Sequence, residues 1–348
     1  MNLDDLLKQD SEWLKGTGPY SNIVISSRVR LARNLDKMPF SHWAQRKKQE
    51  EIMNMIIDAA NATNYLKGSM VYRIRDLSET DRMFLVERHL MSPEHAKDGE
   101  FKALIMDPKE VVSIMVNEED HMRIQAMQSG FNLMEAWRIA DEVDTELSKQ
   151  LPYAYSPKYG YLTACPTNTG TGLRGSIMVH LPALVFSTQI ERVLNATAKL
   201  GLNIRGLYGE GTEASGNLFQ VSNQVSLGRS EADIIDNIER IMRQIVDKEE
   251  AARKILLTKN HEAIVDRVWR AYGTLKSAHI ITSTETIALL SAIRLGVELG
   301  VIKNLTRQEV NELFIITQPA HLQKLEGKFL DASDRDLKRA DIIRKKIE

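Results

Sequence analysis

Apolar residues in this chain recur at two different spacings, and the change between them near residue 250 restricts the fold more than any other feature. Before that point, short β-prone runs mix with amphipathic stretches. Residues 102–106 and 111–116 read as strands joined across Asp107-Pro108-Lys109, a hairpin turn. Residues 161–164 and 218–222 read as two more strands. Ile52, Met55, Ile56 and Ala59 fall at helical spacing, as do Leu133, Trp137, Ala140 and Leu147. Ser230 and Asp233 form an N-cap pair before the stripe Ile234, Ile238, Ile241 and Ile245. Hairpin-linked strands with helices between them predict an α+β domain over 22–250, an antiparallel sheet flanked by helices. The regular alternation of a doubly wound fold is missing. Beyond 250 the strand signals stop. Thr282 with Glu285, and Thr306 with Glu309, have capping-box spacing ahead of Ile287, Leu290, Ile293 and Val297, and of Val310, Leu313 and Phe314. An all-helical domain over 251–348 is expected, with 1–21 as a leading segment.

With 348 residues and 43% hydrophobic content, the chain can bury a sizeable core. Its 46 basic and 47 acidic residues give a formal net charge of -1. No global field favours nucleic acid, so an anion site has to come from local clustering. One cysteine makes no internal disulfide, which fits the reducing cytoplasm. The first fourteen residues are charged and lack the apolar centre of a signal peptide. No apolar run approaches the roughly 20 residues of a membrane helix. A cytoplasmic protein that engages neither membrane nor, directly, nucleic acid is expected.

Five segments concentrate chemistry. Cys165-Pro166-Thr167-Asn168-Thr169-Gly170-Thr171-Gly172-Leu173-Arg174 is a glycine-rich turn that carries the single cysteine and ends in arginine. Ser26-Ser27-Arg28-Val29-Arg30, Asn117-Glu118-Glu119-Asp120-His121-Met122-Arg123 and Arg205-Gly206-Leu207-Tyr208-Gly209-Glu210 add arginines and carboxylates, and Arg335-Asp336-Leu337-Lys338-Arg339-Ala340 lies near the end. Gly170, Gly172 and Gly175 match GxGxxG. However, Ser176-Ile177-Met178-Val179 is β-prone where a dinucleotide fingerprint needs a helix, so the match is read as chance. No GxxxxGK[ST] loop exists. Arginine is the other route to phosphate: it stays charged and its planar fork binds bidentately. In an extended segment Arg28 and Arg30 project to one side. Taken singly, each arginine reads as a solvated surface residue, Glu118-Glu119-Asp120 as a polar turn, Cys165 as a small buried residue, and His89 and His180 as structural. Glu210 and Glu213 share one glycine-flanked loop. No His, Cys and Asp cluster has metal-ligand spacing.

The segments around Ser26, Asn117 and Cys165 resemble, in order, signature segments of the phosphagen kinases, such as creatine and arginine kinases. The resemblance covers most of 22–250. The whole chain is similar to one branch, the bacterial protein-arginine kinases, which phosphorylate arginine side chains of proteins and mark them for Clp proteases. Ser26 comes too early for the helical N-terminal domain of the small-molecule enzymes, a helical C-terminal domain is added, and 335–340 matches the RDxxRA motif of the branch.

The resemblance implies an ATP- and Mg²⁺-dependent protein-arginine kinase active in the stress response. Arg28, Arg30, Arg123, Arg174 and Arg205 would hold the ATP phosphates. Ser26, Ser27, Val29, His89, the turn formed by Gly175, Ser176, Ile177 and Met178, and the loop Gly206, Leu207, Tyr208, Gly209 and Glu210 would line the nucleotide site. Glu119 and Glu210 would bind the target guanidinium with Cys165 beside it. Arg335, Asp336 and Arg339 would recognise phosphoarginine and tune activity. The loop 208–213 departs from that of the small-molecule enzymes, which leaves Glu210 and Glu213 both open as the second carboxylate. Gly175 stands where alanine is often found. Implied partners are proteins with an accessible arginine, an activator protein and the Clp unfoldase–protease system, with a homodimer surface offered by the apolar stripes of the helical domain. Two alternatives are a kinase of free arginine or another small guanidine, and a catalytically idle phosphoarginine-binding adaptor.

Overall fold

The computed structural model describes residues 3–9, 11–97, 99–206 and 215–347. Strand β1 (Val24–Arg33) is followed by α1 (Arg46–Ala62), β2 (Met70–Arg73), α2 (Glu79–Glu87) and α3 (Pro93–Ala96). Next come β3 (Ala103–Met106), β4 (Val112–Val116), β5 (Met122–Ser129), α4 (Leu133–Ser148), and the short β6 (Tyr155–Ser156) and β7 (Gly160–Tyr161). Strand β8 (Leu173–His180), α5 (Pro182–Phe186), α6 (Ile190–Lys199), β9 (Leu202–Gly206) and β10 (Leu218–Asn223) complete the strand-bearing part. Helices alone follow: α7 (Glu231–Lys259), α8 (His261–Ser277), α9 (Ser283–Glu298), α10 (Arg307–Ile316), α11 (Pro319–Glu326) and α12 (Ala332–Ile347). Helix α7 runs unbroken through position 250.

Eight strands form one sheet in the order β2-β3-β4-β5-β1-β8-β10-β9, and every pairing is antiparallel. The expected hairpin of β3 and β4 is present, turned by Asp107, whose carboxylate accepts from the Val112 and Lys109 amides. The phosphagen-kinase-like α+β architecture with a helical C-terminal part is observed. Gly175 sits inside β8, so a strand follows the GxGxxG match, as its β-prone residues predict.

Two expectations change. The strand predicted over 161–164 shrinks to Gly160–Tyr161, because side chains capture the backbone beyond it. The Thr163 hydroxyl donates to Cys165 O at 2.7 Å, and the Ala164 amide donates to Asp120 Oδ1 at 2.7 Å. On α1, Met53 rather than Met55 joins Ile52, Ile56 and Ala59 in the core, while Met55 packs at its margin. The capping boxes at Ser230 and Thr306 are both reciprocal; Thr282 caps the Glu285 amide alone.

One face of the sheet packs on α4 and α7, whose stripes bury Ala136, Ala140, Val143, Ile234, Ile238 and Ile241. Burial of the valine and each isoleucine stabilises a fold by about 1.5–3 kcal/mol, and of each alanine by less. The opposite face is divided. Over β3 and β4 it is closed by a second apolar cluster in which Leu104, Met106 and Met115 meet Phe84 and Leu85 of α2 and Ala320 of α11. Over β5, β1, β8 and β10 it carries Gln125, Arg28, Arg30, Arg174 and Gln220 beside a cleft, and at one end it is covered by Trp13, Leu14, Phe314 and Ile315 packed against Met178 and Leu218.

The helical part is locked to the sheet by Arg294, which is fully buried. Its guanidinium donates to Asn311 Oδ1 (3.0 Å), Asn22 O (3.2 Å), Ser21 O (2.7 Å) and His180 Nδ1 (3.0 Å). The other ring nitrogen of His180 meets Ser291 Oγ at 2.8 Å, so the imidazole is neutral with its proton on Nε2. Burial and the neighbouring Arg294 and Arg253 push the His180 pKa well below its ordinary value; burial takes His95 down to about 3. A depressed histidine is neutral in the folded chain yet protonated in the unfolded one, so stability is complete above the ordinary value of 6.5 and drains away as pH falls below it. Each such histidine adds a slope of up to about 1.4 kcal/mol per pH unit. Thermal melts should therefore show Tm falling steadily from about pH 7 to about pH 5. A flat profile over that interval would contradict this account of His95 and His180.

Candidate active site

Strand alternation and antiparallel register build the cleft floor. Along β1, Ser26, Arg28 and Arg30 face the cleft, while Ser27 and Val29 face the helices. Register places Arg30 opposite Gln125 of β5 and Arg174 of β8, and Arg28 opposite Met127 and Ser176. Ser176 pairs in turn with Ser222 of β10, and Gln220 of β10 with Arg205 of β9. Arg28 donates to Gln220 Oε1 (3.0 Å) and Ser176 Oγ (3.3 Å), and Arg174 to Ser222 Oγ (3.2 Å). Arg123 enters from the start of β5. Its Nη1 lies 2.9 Å from Glu118 Oε2 and its Nη2 lies 3.3 Å from Glu119 Oε2.

Arg28 and Arg30 line a cleft of about 360 Å³ together with Glu87, His89, Gln125 and Gln318, among others, and Arg123 and Arg174 stand near enough to act on both. Burial, then Arg174 and Arg123, lower the Arg28 pKa to about 10. Arg30 is driven well below the usual arginine value by burial and by Arg28, Arg123 and Arg174. Burial and Arg205 lower Arg174. His89 has a left-handed backbone (φ 60°), its ring set edge-on to Trp13, and burial beside Arg28 brings its pKa down to about 3. Among the described residues Arg30 Nε, Arg174 Nε and His89 Nε2 are buried without a hydrogen-bond partner. Unpaired buried donors are costly, so this site is organised around an anion with many acceptor oxygens.

The carboxylate side is held by a network that a motif search does not reveal. Asp120 Oδ1 accepts from Asn34 Nδ2 and from the Ala164 amide, each at 2.7 Å. That single carboxylate pins the turn bearing Glu119 to the loop bearing Cys165. Asn34 Oδ1 accepts from the His121 amide at 2.9 Å, which closes the network. Cys165 Sγ lies 3.0 Å from Thr167 Oγ1. The Glu119 pKa is raised by burial and by Asp120, against the pull of Arg123. Gly172 has φ 66°, and a Cβ there would lie 2.6 Å from Ala32 O, so the glycine turn has to be glycine to pass β1. Buried Arg33 fastens that turn, donating to Thr171 O while paired with Asp144 of α4.

The predicted residues separate accordingly. Ser26, Arg28, Arg30, His89, Arg123, Arg174 and Ser176 share the cleft face, with exposed Arg205 at its rim; Met178 is on the same face of β8 but is buried under Trp13, Leu14 and Phe314. Ser27 and Val29 do not: Ser27 is fully buried and spends its hydroxyl on Gly130 O and the Asn132 amide. Gly175 and Ile177 also point away from the cleft. A Cβ on Gly175 would strike Ile238 of α7 at 2.8 Å, and the segment expected as a turn is strand β8. Gly206 ends β9, whereas Leu207, Tyr208, Gly209, Glu210 and Glu213 lie outside the described residues. Arg339 is buried. Its guanidinium donates to Thr317 O and Ile281 O, both at 2.9 Å, and to Asp336; Arg335 is half-buried and donates to Leu330 O. The sequence reading missed Asn34, Gln125, Gln318 and Glu87 as neighbours of the site, and took Asp120 only as part of a polar turn.

The sheet and this site define an ATP:guanidino phosphotransferase. Residues 49–252 match the model of the ATP:guanido phosphotransferase C-terminal catalytic domain, and 261–348 match that of the protein-arginine kinase McsB C-terminal domain. Solved phosphagen kinases share the fold. A duplicated taurocyamine kinase from Schistosoma mansoni superposes with TM-score 0.60 at 25% identity, over 77% of this chain and 40% of that one, so this chain spans about two fifths of that protein. Lombricine kinase gives 0.59 at 23% identity, over 72% and 75%. The protein-arginine kinase of Halothermothrix orenii is 45% identical over 348 residues, covering 100% of this chain and 99% of that protein. That of Symbiobacterium thermophilum is 47% identical over 343 residues, covering 98% and 97%. The chain belongs to the protein-arginine kinase family.

Arg30→Met should act in opposite directions on two measurements. Nucleotide affinity falls by about 10- to 100-fold, as expected when a charge-assisted hydrogen bond is lost. The free protein becomes more stable by about 1–4 kcal/mol, because a buried, crowded charge is replaced by an apolar side chain. Equilibrium binding and thermal melts check the two signs. Asp120→Ala, which frees the Cys165 loop, should lower kcat by about 10²-fold with nucleotide affinity little changed.

Proposed function

We propose that this chain transfers the γ-phosphoryl group of ATP to an arginine side chain of a protein. The observation that carries the reading is the meeting of Arg28, Arg30, Arg123 and Arg174 on one sheet face, with Glu119 and Cys165 pinned beside them by Asp120. The transition state of phosphoryl transfer spreads charge over the phosphoryl oxygens, so preorganised guanidinium groups lower its energy. Mg²⁺ would enter on the phosphate oxygens and neutralise part of their charge. Among the described residues no three His, Cys, Asp or Glu side chains gather as a metal-ligand set.

The acceptor is a guanidinium whose pKa exceeds about 12, so it must shed a proton as it attacks. Glu119 is suited to that step because its carboxyl is more basic than usual. An acceptor nitrogen forms a bond to the γ-phosphorus, the bond from that phosphorus to the bridging oxygen of ADP breaks, and the proton passes to Glu119. Arg123 pairs with Glu119, and phosphate oxygens bound to Arg123 would release that carboxylate toward the acceptor.

Regulation through the RDxxRA segment is part of the same proposal. Arg339 holds Thr317 O, the next residue Gln318 lines the cleft, and Glu87 lines the cleft while accepting from the Ala320 and His321 amides at the start of α11. An occupant at Arg335 would press on this chain of contacts. Handing of phosphorylated proteins to a Clp unfoldase–protease, service in a stress response and a cytoplasmic setting rest on the family resemblance. No helix among the described residues is long and apolar enough to cross a membrane.

Mass spectrometry under non-acidic conditions, after incubation with ATP and casein, should find phosphate on arginine nitrogen, and free arginine should be the poorer acceptor. Glu119→Gln should cut transfer by about 10²–10⁴-fold while ATP still binds. Wild-type transfer rates in that variant would remove Glu119 from the mechanism.

A further inference from the structure

An aromatic ledge, exposed at His42 and Trp43 and half-buried at Phe40, is hydrogen-bonded to the turn that carries Glu119. Phe40, His42 and Trp43 lie in the loop between β1 and α1. The Phe40 and His42 rings are stacked at 6.3 Å with 2° between their planes, and the Trp43 ring lies 4.6 Å from His42. Trp43 is 74% exposed. A side chain of that size in water contributes little to the core, and solvent-facing tryptophan is a frequent anchor in recognition surfaces.

The ledge is tied to the turn that carries Glu119. Pro39 O accepts from His121 Nε2 at 2.8 Å, and Ser41 O accepts from Gln49 Nε2 at 2.8 Å. Asn117 Nδ2 holds Gln49 O at 2.8 Å, and the Ser41 hydroxyl reaches Asn117 Oδ1 at 3.4 Å. Asn117 and His121 flank Glu118-Glu119-Asp120, so one short hairpin positions the acceptor carboxylate and the ring surface together. The Glu119 carboxyl lies within electrostatic reach of the His42 ring. Beyond the ledge, α1 opens with exposed Arg46, Lys47 and Lys48, of which Arg46 lies 3.7 Å from Glu100 and Lys48 lies 2.8 Å from Glu51. The nucleotide cleft makes no use of these rings. An arginine that reaches Glu119 from a polypeptide brings neighbouring residues, and the ledge gives them an apolar platform with a basic border.

We infer that Phe40, His42 and Trp43 form the docking ledge for the polypeptide that carries the target arginine. Trp43 packs against the residue next to that arginine, and the basic start of α1 favours apolar or acidic neighbours over basic ones. The inference rests on the protein-arginine kinase reading and adds what recognises the polypeptide around the acceptor.

The test compares wild type, Trp43→Ala and Trp43→Phe on two acceptors: a peptide with one arginine flanked by phenylalanine and aspartate, and N-acetylarginine amide. Polarisation of the labelled peptide measures binding apart from turnover. Trp43→Ala should raise the peptide KM and weaken peptide binding by about tenfold, mostly without loss of kcat. Trp43→Phe should recover most of that loss, and ATP affinity and Tm should match wild type. The N-acetylarginine amide KM should not change. Unaltered peptide binding in Trp43→Ala, or an equal loss on both acceptors, overturns the ledge. Wild type that binds the peptide but phosphorylates no arginine overturns the kinase reading instead, and the ledge with it.

Discussion

Repulsion among guanidinium groups is the constraint around which this molecule is arranged. Register in an antiparallel sheet sets Arg30 directly opposite Arg174, with Arg28 two residues along the same strand and Arg123 on the next. Their pKa values fall because burial and neighbouring positive charge both disfavour ionisation. Only part of that strain is relieved internally. Glu118 and Glu119 balance Arg123, while Ser176, Gln220 and Ser222 offer neutral acceptors. The remainder is offset by the apolar face of the same sheet, where α4 and α7 seal the core. A polyanion would supply acceptors for the buried Arg30 Nε and Arg174 Nε.

The helical half takes part in the site. Gln318 lines the cleft, Ala320 completes the apolar cluster over β3 and β4, and Glu87 ties α2 to the start of α11. Arg294 reaches the start of β1 and the end of β8 at once. The helical domain and the cleft therefore share side chains: Gln318 and Glu87 line the cleft, and Glu87 accepts from the backbone of α11.

What could be seen in the sequence follows the range of the forces involved. Arg28 and Arg30 were legible as a same-face pair because period two is a property of any strand. For the same reason a contiguous motif misleads: Ser27 and Val29, named with them, turn to the helices. The capping boxes were legible because they close within four residues. The union of Glu119 with Cys165 was not, since it depends on a bond from Asp120 to Ala164 across 44 residues. Resemblance supplied that pairing; periodicity did not. Arg339 shows the limit of a motif in another way. Its place in RDxxRA was plain, but its burial against Thr317 and Ile281 depends on how three helical segments meet.

Helix α7 has 29 residues and spans about 43 Å without a break. Its first turn follows Ser226, whose hydroxyl holds Thr167 O and Thr169 O beside Cys165. Farther along, Glu249 and Arg253 grip α5 and the backbone around Asn22. Between those ends Ile234, Ile238 and Ile241 pack on the sheet, so the helix is held along its length. One continuous helix therefore ties the thiol loop at its start to α5 and the segment before β1 at its other end, so the two ends of the sheet are braced by a single element.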